Sequence, residues 1–238
     1  MVDMQKQAAG IAYRKTEGAG PTVIFCPGYA SDMTGTKATA LEAWAQENGR
    51  AFIRFDYRGC GESQGAFEDF TLTDWRDDVL AVIDELADGP VVLVGSSMGG
   101  WLMLLAALAR PERIAGLVGV AAAPDFTDWG FTQEEKLALL TEGRLEQENP
   151  YGDAPTVTTR AFWSAGEASR VMIGAIAITA PVRLLQGQRD REVPWNRAET
   201  LAGLIQSDDV QTILVKDGDH RLSRDRDIAL LLRTIEGL

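Results

Sequence analysis

The stretch Gly95-Ser96-Ser97-Met98-Gly99 constrains this chain more than any other. Before it runs Pro90-Val91-Val92-Leu93-Val94, a short apolar and β-branched run that reads as a buried strand. After it, Gly100 to Ala109 is rich in Leu, Met and Ala and reads as a buried helix. A Gly-x-Ser-x-Gly turn between a strand and a helix is so sharp that the central residue sits on strained backbone and its neighbours must be small. That geometry holds the hydroxyl of Ser97 out at the top of a sheet.

The rest of the chain alternates in the same rhythm. Ile11 to Lys15 reads as an early antiparallel strand, and Thr22 to Cys26 as a buried strand ending at Pro27-Gly28-Tyr29. Thr36 to Glu47 has helical spacing and is ended by Asn48-Gly49. Ala51 to Phe55 is the next strand, and Asp74 to Ala87 the next helix, with Trp75, Val79, Val82, Ile83 and Leu86 on its apolar face. Further strands are predicted near Ile114 to Ala121, Val182 to Gln186 and Gln211 to Val215, and a closing helix over Ser223 to Ile235. Strands alternating with helices of this length imply an α/β fold with a mostly parallel central sheet covered on both faces. From Asp125 to Thr179 no strand is evident. A charged helix over Gln133 to Glu148 meets the breaker-rich Asn149 to Pro155, and an apolar stretch follows through Trp163, Met172 and Ile176. The expectation is one domain over residues 1–238 with a lid inserted at 125–179.

Composition narrows the class of partner. The 238 residues are 45% hydrophobic and 24% charged, which suits a globular core, and the net charge is −12. Nucleic acid and anionic membrane surfaces both call for a basic face, so neither is expected as a partner. No run approaches the roughly 18 apolar residues of a membrane span. Met1 to Gln7 has neither the apolar core of a signal peptide nor an Arg-rich transit character, so a cytoplasmic location is expected. The two cysteines, Cys26 and Cys60, make no disulfide framework and read as free buried thiols. Nothing in the composition fixes the oligomeric state.

A serine hydroxyl needs a neighbouring base to become a nucleophile, and imidazole is the base suited to neutral pH. The chain has one histidine, His220, in the loop Lys216-Asp217-Gly218-Asp219-His220 between the last predicted strand and helix. There it overhangs the sheet edge that presents Ser97. A carboxylate is needed to fix the imidazole tautomer. Asp190, after the Val182 to Gln186 strand, gives the chain order Ser, Asp, His, while Asp125, after the Ile114 to Ala121 strand, is a rival. Asp217 and Asp219 lie too near His220 in sequence and read as loop-capping groups. The oxyanion that forms in acyl transfer needs two N–H donors: the backbone of Met98, just after the nucleophile, and that of Tyr29. Met98, Trp129, Phe131, Trp163, Met172 and Trp195 are candidates to line a substrate pocket. No metal or organic cofactor is implied.

Pro27-Gly28-Tyr29, the run from Phe55 to Ser63, the Ser97 turn, Gly187 to Asp190 and Asp219-His220 together resemble the α/β-hydrolases. The stretches Pro27 to Ala38, Gly95 to Leu104, Val193-Pro194-Trp195 and Asp219-His220-Arg221 are more closely similar to the abhydrolase-domain acyl-protein thioesterase branch, with its palmitoyl-protein thioesterase and mycophenolic acid acyl-glucuronide esterase activities. The resemblance implies an α/β-hydrolase fold, a Ser97-Asp190-His220 triad, oxyanion donors at Tyr29 and Met98, and a small-molecule or acylated substrate cleaved at an ester or thioester. It fades over 125–179, where substrate choice is commonly set. A serine peptidase or amidase is one alternative, and a non-catalytic ligand receptor on the same fold is another. Ser97 excludes an epoxide hydrolase or dehalogenase, which need Asp at that turn, and Gly95 to Gly100 lacks the Gly-x-Gly-x-x-Gly of a dinucleotide site.

Overall fold

The computed structural model describes residues 7–8, 10–148 and 155–238. Its large sheet uses β1 (Gln7–Ala8), β2 (Ile11–Thr16), β3 (Ala19–Cys26), β4 (Arg50–Phe55), β5 (Val91–Ser96) and β6 (Ile114–Val120). A separate antiparallel pair, β7 (Arg144–Gln147) and β8 (Thr156–Thr159), precedes β9 (Val182–Gly187) and β10 (Val210–Val215). The large sheet is ordered β1-β2-β4-β3-β5-β6-β9-β10. Only the β1–β2 and β2–β4 pairings are antiparallel; from β4 to β10 every neighbour is parallel.

The β-branched runs alternate between two cores, as period-two side-chain placement requires. Ile24, Ile53, Val91 and Leu93 face one side, against α2 (Leu72–Ala81) and α3 (Met98–Ala109). Val23, Phe52, Val92 and Val94 face the other, with Leu41 and Trp44 of α1 (Thr36–Asn48). All six residues of β5 are buried, which explains a continuous apolar run without polar alternation. Gly49 stops α1 in the left-handed conformation at φ 62°, where a side chain is disfavoured. Thr71 and Asp74 form a capping box, so α2 starts two residues before the expected Asp74, and its tail to Leu86 is a π-turn.

Between β6 and β9 the chain forms α4 (Phe126–Trp129), α5 (Gln133–Glu142), the β7–β8 pair and α6 (Arg160–Ala168). Two expectations are corrected here. The charged helix ends at Glu142, because Gly143 turns left-handed at φ 84° and its N–H caps Leu139, so Arg144–Gln147 is strand rather than helix. The region also holds strands after all, each only four residues long and too short for alternation to reveal. Residues 149–154 of the breaker-rich Asn149 to Pro155 stretch lie outside the described residues. After β9 come α7 (Asn196–Leu204), absent from the sequence reading, and α8 (Asp225–Glu236), which joins α1 on one face through Leu231 and Ile235. Among the described residues no helix is long and apolar enough to cross a membrane.

Candidate active site

At the end of β5 the chain reverses through Ser97, at φ 53° and ψ −120°, and enters α3 at Met98. A non-glycine residue at positive φ is held only where its surroundings enforce it. Here Ser97 N–H donates to the Val120 carbonyl at 3.0 Å, while the Ser97 carbonyl accepts from Gly100 and Ala123. The small residues around it are a steric requirement. A Cβ on Gly95 would collide with the Gly99 backbone, and one on Gly99 with the carbonyls of Cys26 and Pro27. The Cys26-Pro27 backbone after β3 therefore packs directly on the first turn of α3.

The loops after β9 and β10 bring the other two groups. They are tied to each other by Gln188 N–H to Val215 O and Arg189 N–H to Gly218 O, at 2.9 and 2.8 Å. His220 Nε2 lies 3.1 Å from Ser97 Oγ, and its Nδ1 lies 2.9 Å from Asp190 Oδ2. With Nδ1–H donating to the carboxylate, Nε2 is left to accept from the serine hydroxyl. The Asp190 side chain is fully buried, yet it accepts further hydrogen bonds from Gln186 Nε2 and from the N–H groups of Glu192 and Val193. Burial works against its charge, but the His220 contact and these donors outweigh it and hold the carboxyl below the ordinary carboxylate range.

Asp125 is committed elsewhere. It is buried, and its two oxygens accept from the N–H groups of Val171 and Met172, each at 2.8 Å, clamping the chain that leaves α6. Asp219 Oδ1 accepts from Leu222 N–H, and Asp217 pairs with Arg224 and Arg226, as loop-capping groups do.

The two N–H groups suggested for the oxyanion flank the serine. Met98 is the first residue of α3, where backbone N–H groups have no partner within the helix. A Cβ on Gly28 would lie 3.4 Å from that of Ser97, which puts the Pro27-Gly28-Tyr29 turn beside the hydroxyl. The Tyr29 ring points away into an aromatic cluster, and its hydroxyl donates to Val157 O at 2.9 Å.

Ser97 and His220 open into a cleft of about 470 Å³, walled by Tyr29, Asp32, Lys37, Gln147, Glu192 and Arg221 among others. Trp129, Phe131, Trp163, Met172 and Trp195 do not line it. The indole N–H groups of Trp129 and Trp163 donate to the carbonyls of Pro124 and Thr127, the Phe131 ring stacks on Phe126, and Met172 sits on the Asp125 clamp. Trp195 is an exposed residue before α7. Aromatic content marks a packed insertion here, not a ligand pocket.

Two cleft residues escaped the sequence reading. Glu192 Oε2 lies 3.4 Å from His220 Nε2, on the side of the imidazole that faces Ser97. Lys37 Nζ donates to Arg221 O at 2.6 Å and to Ser223 Oγ at 3.3 Å, tying α1 to the histidine loop, and its own burial, then Arg221, pushes it down to about 8. Position two residues past Asp190 was a signal for the first; nothing in the pattern around Thr36 marked the second. Cys26 and Cys60 are free and buried, and burial pushes both thiols up to about 12.

A parallel sheet with a strained serine at the end of its central strand defines the class. The α/β-hydrolase fold pattern matches residues 21–164, and the chain belongs to that family. It is 44% identical over 232 residues to the human mitochondrial palmitoyl-protein thioesterase ABHD10, covering 96% of this chain and 76% of the human protein. The mouse α/β hydrolase domain-containing protein 10 superimposes with a TM-score of 0.90 at 40% identity, over 98% of this chain and 96% of that one. A structure from Agrobacterium vitis matches equally well, with a TM-score of 0.90 and 39% identity over 100% of this chain and 97% of that one.

Proposed function

We propose that this chain hydrolyses carboxylic esters or thioesters through an acyl-enzyme on Ser97. The observation that carries the proposal is the unbroken contact from Asp190 through His220 to Ser97, at 2.9 and 3.1 Å. His220 Nε2 takes the serine proton as Ser97 Oγ adds to the acyl carbon. Negative charge gathers on the carbonyl oxygen, where the N–H groups of Tyr29 and Met98 receive it without reorganisation. The imidazolium, held by Asp190, then protonates the departing alcohol or thiol. Water enters, His220 takes its proton, and the same two donors serve the second tetrahedral intermediate as the acid leaves Ser97. The similarity to a palmitoyl-protein thioesterase makes thioesters the first leaving-group class to compare with oxyesters.

The test uses the intact chain with p-nitrophenyl butyrate and butyryl-coenzyme A. Ser97→Ala and His220→Ala are expected to lower kcat by about a thousandfold or more. Ser97→Ala is also expected to abolish labelling by a fluorophosphonate. Full turnover in His220→Ala would overturn the mechanism, because the chain holds no second imidazole.

A further inference from the structure

The run from Phe55 to Ser63 carries part of the family resemblance, yet it holds no member of the proposed triad and neither oxyanion donor. It leaves the end of β4 and meets the loop of residues 27–35 between β3 and α1, which carries Tyr29. Three side chains at this exit grip that loop. The Tyr57 hydroxyl donates to the Pro27 carbonyl at 3.2 Å. Asp56 Oδ1 accepts from Met33 N–H at 2.6 Å, and Arg54 Nη1 donates to the Met33 carbonyl at 2.7 Å. Met33 is thus held on both its N–H and its C=O, and Met33, Arg54, Asp56 and Tyr57 are all buried.

Between the two grips the loop is strained. Ala30, next after Tyr29, sits at φ 51°, in the left-handed region that a non-glycine residue enters only at a cost. Such backbone persists where its surroundings fix it, and the grips at Pro27 and Met33 fall on either side of Ala30.

Asp56 uses both of its oxygens. Oδ2 accepts from Glu62 N–H at 2.8 Å, and a Cβ on Gly61 would fall 2.2 Å from that oxygen, so the turn closes over the carboxylate only with glycine there. Two acceptors are what a carboxylate supplies; a carboxamide would turn its NH2 toward one of the two N–H groups. Asp78 is a second buried carboxylate against the same run, but it holds a different partner. It accepts from the N–H and Nε of Arg58, at 2.8 and 2.6 Å, and so ties the run to α2.

We infer that Asp56 is a positioning residue for the hydrolysis proposed above: through Met33, together with Arg54 and Tyr57, it sets where the Tyr29 N–H stands. The inference rests on that reading and gives the run from Phe55 to Ser63 its part in the reaction. Asp56 touches no reacting atom. Its effect falls on the transition state, because a displaced N–H weakens the hold on an oxyanion more than the hold on a neutral carbonyl.

The experiment compares Asp56→Asn with Asp78→Asn in the full chain, using p-nitrophenyl butyrate as substrate and propyl trifluoromethyl ketone as inhibitor. Ser97 Oγ adds to the ketone carbon, its proton passes to His220, and the carbonyl oxygen becomes an oxyanion facing the same two donors. Asp56→Asn is expected to lower kcat and weaken this inhibition, each by at least about tenfold, with KM within about threefold. Asp78→Asn is expected to unfold at lower urea while its kcat and inhibition stay within about threefold of the unmodified chain. Native inhibition in a folded Asp56→Asn variant overturns the inference. Equal weakening in both variants also overturns it, since loosened packing would then suffice. Tyr57→Phe, which removes only the hydroxyl that holds Pro27, serves if Asp56→Asn fails to fold. It is expected to weaken kcat and inhibition together by about threefold at unchanged KM, and no change in either overturns the grip on the loop. No turnover by the unmodified chain, with no fluorophosphonate labelling, overturns the hydrolase reading itself and this inference with it.

Discussion

At the carboxyl edge of the large sheet, Ser97, Asp190 and His220 come from three separate loops and meet one another within hydrogen-bond distance. In the segment between β6 and β9, Asp125, Trp129 and Trp163 are just as polar or aromatic, yet their polar atoms bond to nearby backbone. The difference lies in what holds each region. Parallel strands share one direction, so all the loops that follow them collect at the same edge, however far apart they are in sequence. The inserted helices are short and have no such frame. They pack onto the core beneath the sheet through Phe126 and Phe162, and their most chemically suggestive side chains are consumed in bonds to backbone.

The largest expected effect tests this division directly. Asp190→Asn is expected to lower kcat by about a thousandfold or more, since the imidazole loses the group that fixes its tautomer. Asp125→Ala is expected to leave kcat within about twofold, while unfolding by urea shows a loss of roughly 3 kcal/mol from two stranded N–H groups. The reverse pattern would mean that Asp125, not Asp190, serves the histidine.

Backbone proximity provides the next contrast. Gly99→Ala drives a Cβ into the carbonyls of Cys26 and Pro27, and is expected to cost about 3 kcal/mol and most of the activity. Gly174, in the inserted segment, has nothing within 4 Å of the same added atom. Gly174→Ala is expected to shift stability by less than about 0.5 kcal/mol, checked by the same urea midpoints.

The smallest effect concerns Lys37. Burial lowers its ammonium from 10.5 to about 8, so between these pH values the unfolded chain binds more protons than the folded one. Stability from this group therefore rises with pH across that window and is constant below it. The stability difference between the native chain and Lys37→Met should shift toward the native chain as pH rises from 8 to 10.5. Parallel curves would show that the amine is not desolvated at the histidine loop.

Much of the sheet was legible because buried parallel strands read as unbroken apolar runs, and the Gly-x-Ser-x-Gly pattern marked the strained turn at Ser97. His220 was legible because no other imidazole competes. Sequence put Asp190 ahead of Asp125 without excluding the latter, since both follow parallel strands and both can reach the edge in principle. The N–H groups of Val171 and Met172, far along the chain, are what occupy Asp125. The pocket was not legible at all. Trp129 and Trp163 carry the composition of a binding surface, and only three-dimensional neighbours reveal that their indoles face Pro124 and Thr127. Helix α7 was missed because its polar residues, Asn196, Arg197 and Glu199, mask the two buried positions Ala198 and Leu201.

His220 stands alone of its kind, with one ring nitrogen against a carboxylate and the other against a hydroxyl. Any signal that singles out histidine is therefore a signal from this site. The imidazole proton shared with Asp190 should give an isolated downfield resonance that needs no assignment. Uptake of one equivalent of an imidazole-selective acylating reagent should track loss of turnover molecule for molecule. The chain thus carries its own spectroscopic reporter, already installed at the proposed site of hydrolysis.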